Sequence, residues 1–332
     1  MNVTTGQFLL AVHRAARRMP HLEFRPWLFR ELGSVLRFDS GLWLRIALGD
    51  DGPRMHDHHL DRQRPDRISS YLEQGLWRED PLMEAALTSA PGRAWVMSAS
   101  AAVQPGPLRD HLELHEQRQV VCAFEYAPIT RSFAGFLLFR RGRDDPFSEA
   151  DRSLVEAIEP HLRDAWTYNW LREVGVTRPR DFPADFAHAV FSVDGVLSAS
   201  DEMFAAAIQR EWPEWQGPFV PSVWLDHVGR DPGEPWTGHS STAYFEPLQN
   251  QLILVRLRPA HAVDRLSRRR RQVALMFAAG ATQGEVAEAL RLSPSTVNNY
   301  LVDVYRALGV ADKAALALLV SRLHPRGSVD AS

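Results

Sequence analysis

Apolar and polar positions change their period several times along the chain. Residues 41–48 alternate, with Leu42, Leu44, Ile46 and Leu48 on one face, as in a strand with one buried side. Residues 120–126 and 133–139 predict two further strands, joined across residues 128–132 as a short antiparallel connection. A helical period follows. Ser148 is placed as an N-cap with Asp151 three residues on, and Leu154, Val155, Ile158, Leu162, Ala165 and Trp166 then share one stripe. Pro160 lies inside that stripe and predicts a kink. Residues 1–172 therefore read as an α+β unit, an antiparallel sheet with flanking helices. After a Pro/Arg-rich break at 176–183, a second and smaller α+β unit spans residues 181–260. Residues 189–197 predict a hairpin turned at Asp194-Gly195, and Ser200 is placed to cap a short helix reaching to about residue 211. A stretch rich in Pro, Trp and Gly covers 212–236, and strands are expected at 242–245 and 251–258.

The last pattern is all-α, over residues 265–326. Ser267 caps a first helix with Val273, Ala274 and Phe277 inward, and Gly280 ends it. Thr282 caps a second helix with Val286, Ala287 and Leu290 inward. Ser293 caps a third, with Pro294 at its first position, where a missing N–H does no harm. Its inward stripe is Val297, Leu301, Val304, Tyr305 and Leu308, and Gly309 stops it. A fourth helix carries Leu316, Leu319 and Leu323. Two short capped helices joined by a tight turn make a helix-turn-helix. The third helix, about 15 residues or ~22 Å long, can lie along a major groove. With its inward stripe assigned, its outward face shows Ser295, Asn298, Asn299, Val302 and Arg306. Asparagine pairs bidentately with an adenine edge, and Val302 can touch a thymine methyl. Thr282, Thr296, Lys313 and the helix N-termini are the expected phosphate contacts.

Charge supports that division. The 332 residues suit two or three domains, and 45% hydrophobic residues suffice for their cores. Net charge is −3, but residues 265–326 hold ten basic against four acidic residues, leaving 28 basic against 37 acidic elsewhere. A basic tail on an acidic body suits a phosphate-facing module. The run Arg268 to Arg271 reads either as a solvated face or as phosphate contacts. Lys313 is the sole lysine, and arginine used in its place suggests a GC-rich bacterial coding genome. One cysteine, Cys122, excludes an internal disulfide and a Cys-rich zinc site, and its apolar strand suits a buried inert thiol. No apolar run approaches the ~20 residues that cross a bilayer, and no signal pattern opens the chain, so a soluble cytoplasmic protein is expected. His56-Asp57-His58-His59 reads as a solvated polar loop rather than a metal site. No nucleophile elbow, acid/base pair or cofactor motif is found, so neither an enzyme nor a cofactor is expected.

The tail resembles the LuxR-type helix-turn-helix family almost end to end. Leu266-Ser267, Ala279-Gly280, Glu285-Val286-Ala287, Leu292-Ser293, Thr296-Val297, Tyr305-Arg306 and Leu308-Gly309-Val310 carry the match, in order. It departs where the family mixes arginine with glutamate at 268–271, and at Asn298 and Tyr300, where lysine and histidine are common. The resemblance implies a four-helix DNA-binding domain, with double-stranded DNA as partner and a homodimer when bound. Among the family's input domains, a phosphorylated receiver needs a lysine that the first block lacks, and a nucleotide-driven one needs a Gly-Lys-Ser/Thr loop that is absent. The first block instead resembles GAF-like sensory domains, through the helix at 147–170 and its preceding hairpin. Tyr71, Asp80-Pro81 and Trp95 are also similar, in order and spacing, to the pocket residues of autoinducer-binding domains. That pocket's other tryptophan falls at Arg67, which argues against a classical acyl-homoserine lactone. An aspartate can accept a ligand N–H while aromatics supply walls, so Tyr71, Trp77, Asp80 and Trp95 are the candidate pocket for a small molecule. Trp43, Trp77 and Trp95 are also readable as core, and Asp80 as the cap of a helix beginning at Pro81. The second block resembles a PAS-like fold. The expected function is a one-component transcriptional regulator. The alternative is a ligand-binding or interaction module whose tail helices serve dimerisation only.

Overall fold

The computed structural model describes residues 5–88, 92–174, 186–231 and 233–323. The break expected at 176–183, the side chain of Leu323 and the end of the tail at 326 lie outside what is described.

The first unit runs α1 Thr5–Arg18, α2 His21–Leu32, β1 Ser40–Gly49, β2 Gly52–Asp61, α3 Arg67–Glu73, a 3-10 turn Leu76–Arg78, α4 Pro81–Thr88, β3 Ala94–Ser98, α5 Ala99–Ala102, α6 Pro107–Leu114, β4 Gln119–Ala127, β5 Ser132–Arg140 and α7 Glu149–Glu173. Its antiparallel sheet has the order β2-β1-β5-β4-β3. The period-2 alternation sorts side chains onto two faces. Trp43, Val121, Ala123, Phe136 and Leu138 face α1, α2 and α7, where Trp43 stacks on Trp166 at 4.4 Å. Leu42, Ile46, Val120, Cys122, Phe124, Phe133 and Leu137 face α3 and α4. The expected cap of α7 is present. Ser148 Oγ accepts from the Asp151 amide, and the Asp151 carboxylate accepts from the Ser148 amide.

Residues 56–59 are not a loop. They lie in β2, which pairs with β1 along its length, and His56 is the extra residue of a β-bulge between Arg45 and Ile46. The segment has too few apolar residues to announce a strand. Backbone pairing and a polar network stabilise it instead. Asp57 accepts from Trp166 Nε1 at 2.8 Å and Arg25 at 3.1 Å, and lies 3.4 Å from His21 Nε2. Burial opposes the Asp57 charge, but those donors hold its carboxyl below the usual range.

The second unit comprises β6 Ala187–Ser192, β7 Leu197–Ser200, α8 Phe204–Gln209, α9 Ser222–Arg230, β8 Trp236–Thr237, β9 Ser241–Pro247 and β10 Leu252–Pro259. Its order, β7-β6-β10-β9-β8, repeats that of the first sheet strand for strand. Ser200 belongs to β7 and does not cap α8. Asp201 supplies the local acceptor instead, taking the Met203 amide at 3.0 Å. The Pro/Trp/Gly stretch contains α9, whose Trp224 is fully buried. One face of the sheet packs on α8 and α9. The other, through Val190 and Leu254, packs on Trp170 and Val174 at the end of α7. The two units also meet where Arg54 lies over the Phe219 ring at 5.1 Å and where the Gly217 amide donates to the Ile129 carbonyl.

A 3-10 turn, Ala262–Arg265, leads into α10 Arg268–Ala278, α11 Gln283–Leu290, α12 Pro294–Leu308 and α13 Lys313–Leu323. Val263 of that turn packs with Ala274, Val304 and Leu316, so the bundle's core begins in the connection itself. No helix among the described residues is long and apolar enough to cross a membrane.

Candidate nucleic-acid interface and ligand pocket

Caps fix the two helices of the helix-turn-helix. Thr282 and Glu285 form a reciprocal capping box at α11, and Ser293 Oγ accepts the Thr296 amide at α12. Arg291, in the left-handed region at φ 54°, and Gly309, at φ 66°, close the two helices. Val273, Val286, Ala287, Val297 and Leu301 then pack as one layer between α10, α11 and α12. That packing turns Ser295, Asn298, Asn299, Val302 and Arg306 outward together, all exposed. Val302 is 46% exposed, although an apolar residue would otherwise be expected to turn inward.

The predicted phosphate contacts divide. Thr282 and Thr296 stand at the exposed N-termini of α11 and α12, next to the orphan amides of each first turn. Lys313 is turned onto the bundle. Its ammonium donates to the Gly280 and Ala281 carbonyls at 3.0 and 2.8 Å and lies over the Phe277 ring. Arg306 lies 3.6 Å from Asp303, which also holds Arg270. Gln283, absent from the sequence-level set, adjoins this surface and donates to Asn298 Oδ1 at 3.4 Å. Within the arginine run, Arg268 and Arg271 pair with Glu234 of the second unit.

In the first unit, Tyr71 and Asp80 do come together. The Tyr71 hydroxyl donates to Asp80 Oδ2 at 2.7 Å, and Asp80 Oδ1 accepts the Leu82 amide at 2.9 Å. Asp80 is thus both the cap of α4 and a pocket residue. Burial, then the Asp80 charge, push the Tyr71 phenol well above its ordinary value, so it remains a donor. The pocket, about 50 Å³, lies between α3, α4 and the sheet, and its walls include Leu42, Leu44, Phe124, Phe133 and Leu137. Trp77 is not among them, since its ring covers Gly52, where a Cβ would come within 2.9 Å of it. Trp95, on β3 opposite Cys122, packs against the same apolar layer as the pocket walls but is not among the residues that line the pocket. Arg67, one helical turn before Tyr71, lines the pocket at the position where the resemblance puts that pocket's other tryptophan. His111 lies beside Tyr71, and His115 beside His111. Burial, then Arg67, lower both, His111 to about 4, so both rings are neutral at pH 7. Burial pushes the Cys122 thiol up, which keeps it unreactive. Among the described residues no group of His, Cys, Asp and Glu is arranged to hold a metal.

Comparisons with known proteins bear on these surfaces. No curated protein matches the chain. Among solved structures, Escherichia coli SdiA aligns over 95% of this chain and 96% of its own, with 13% identity and a TM-score of 0.42. CepR2 of Burkholderia cenocepacia, an N-acylhomoserine lactone dependent LuxR family transcription factor, aligns over 51% of this chain and 96% of its own, with 16% identity and a TM-score of 0.38. The phycoerythrobilin-bound GAF domain of a cyanobacterial phytochrome aligns over 52% and 99%, with 12% identity and a TM-score of 0.35. Residues 264–320 match the family model of bacterial regulatory proteins, luxR family. That span contains both capped helices and the whole exposed face of α12, and the C-terminal unit of this chain is a luxR-family regulatory domain.

Proposed function

We propose that this chain is a one-component transcriptional regulator, in which residues 265–326 bind double-stranded DNA under control of a signal received by residues 1–172, with residues 181–260 between them. The observation that carries this reading is the outward face of α12 within a luxR-family domain: Ser295, Asn298, Asn299, Val302 and Arg306 exposed along one helix side. Asn298 and Asn299 are the base readers, and Thr282, Thr296 and the N-termini of α11 and α12 hold phosphates. Lys313 supports the α10–α11 turn and reaches phosphate only by exchanging its carbonyl partners. The reading assigns no catalytic step to the chain, places it in the cytoplasm, and has it engage paired half-sites as a homodimer. The pocket at Tyr71 and Asp80 is where a small-molecule signal shifts the population able to bind DNA.

The test is fluorescence anisotropy of the full chain on promoter duplexes across a salt series. Affinity should fall linearly with salt on logarithmic axes. Asn298→Ala and Asn299→Ala should each lose about 1–3 kcal/mol of discrimination between cognate and scrambled duplex. A full chain that dimerises through its tail and shows no salt-sensitive duplex binding would leave only the interaction-module reading.

A further inference from the structure

We propose that the pocket between α3, α4 and the first sheet takes a small aliphatic carboxylate, held by the guanidinium of Arg67. The inference rests on the reading of the first unit as the signal receiver and names the chemical class of the signal.

Arg67 is 6% exposed and lines the pocket. It donates to Gln117 Oε1 at 3.1 Å and lies over the Tyr71 and Phe139 rings, and its Nε has no hydrogen-bond partner. No carboxylate among the described residues forms an ion pair with it. Asp80 attracts it across the pocket, but both Asp80 oxygens already accept from Tyr71 and the Leu82 amide. The rings of His111 and His115 cannot supply an anion, and neutral they add no second cation. A buried guanidinium with an unused N–H and no anion is unfavourable unless something else brings the anion. A carboxylate matches the fork of a guanidinium and can accept from two of its N–H groups.

Size and charge narrow the class. A cavity of about 50 Å³ exceeds what one water needs and is a third of the ~150 Å³ that accommodates benzene. The walls beyond Arg67 are Leu42, Leu44, Phe124, Phe133 and Leu137, which suit a short hydrocarbon chain. A phosphate dianion would need a second cation, and the pocket's other charged wall residue is Asp80, an anion. A single negative charge is the one that Arg67 alone can balance.

The experiment titrates the full chain with formate and acetate at constant ionic strength. Formamide and acetamide serve as uncharged isosteres. Thermal unfolding and ligand-observed NMR are the readouts. The acids should bind saturably and raise the unfolding temperature, while the amides should not. Arg67→Gln should weaken acetate binding by about thirtyfold or more, as expected when one partner of a buried charge pair is removed. Its unliganded unfolding temperature should not fall, because an unpaired buried charge has gone. Arg67→Lys, which keeps a charge on a similar stem, should retain part of the binding. Equal binding of acid and amide, equal acetate binding by wild type and Arg67→Gln, or no acid binding to wild type would each overturn the proposal. If acetate binds through Arg67 but leaves the duplex isotherm unchanged, the carboxylate site stands and control of DNA binding from this pocket does not.

Discussion

Asp57 gathers donors from two helices far away in sequence: Arg25, 32 residues before it, and Trp166, 109 residues after. His21 adds a contact at 3.4 Å. The folded carboxyl is held below its ordinary value, so its contribution to stability is present above about pH 4 and is lost as pH falls through the lower folded value. Asp57→Asn should therefore destabilise the chain by about 2 kcal/mol at pH 7, with the difference shrinking in urea unfolding as pH falls through the lowered folded value. A difference that stays constant over that acid limb would show that the loss is steric and not electrostatic. The same distance in sequence explains what could not be read locally. His56 to His59 look like candidate ligands or solvated charges until α2 and α7 bring partners to Asp57. Lys313 looks like a phosphate contact until the Gly280 and Ala281 carbonyls are placed beside it. Arg67 looks merely like a missing aromatic until the walls of the pocket are known. By contrast, the outward face of α12 was legible, because the residues on either side of a helix are fixed once Val297, Leu301 and Val304 are assigned inward.

Elements with a local signal were legible, and those formed by distant pairing were not. α7 announced itself with a capping box and an apolar stripe, and α12 with Ser293-Pro294 and Gly309. α1 buries only Phe8, Val12 and Ala16, a thin stripe with no acidic residue in its first turn. α9 buries one residue, Trp224, amid prolines and glycines, and β2 borrows its regularity from β1. Contacts between elements can be as strict as those within them. Gly217 donates its amide to Ile129 at 2.8 Å, and a Cβ there would lie 2.0 Å from the Thr130 carbonyl oxygen. Backbone cannot yield as a flexible side chain can. Gly217→Ala should force the β4–β5 turn away from the second unit and destabilise the chain by about 1–3 kcal/mol. Hydrogen exchange should show faster opening at residues 127–132 and 215–220, with α12 unchanged. Uniform acceleration that includes α12 would mean that the contact holds the whole chain and not one junction.

At the scale of the whole molecule, two sheets of the same strand order lie in series and the second anchors the helix-turn-helix tail. The anchor is a buried ion pair. Arg258 of β10 grips both oxygens of Asp264 at 2.7 and 2.8 Å, with each side chain 2% exposed. Thr242 and the His261 amide complete the acceptor's partners. Arg268 and Arg271 reinforce the junction through Glu234, so part of the basic run faces the second unit. Burial opposes the Asp264 charge, but Arg258 and the His261 amide hold the carboxyl below its usual range. The anchor therefore contributes above about pH 4 and is lost only in stronger acid. Asp264→Ala leaves Arg258 buried without an anion and should be destabilising by about 3–5 kcal/mol. The double variant Arg258→Met, Asp264→Leu replaces the pair with apolar volume and should recover most of that loss. Both should retain duplex affinity, because neither touches the outward face of α12. They should differ in hydrogen exchange across residues 258–266, fast in the single variant and slow in the double. If the double variant opens as fast as the single, the charges and not the packing around them hold the tail to the second sheet.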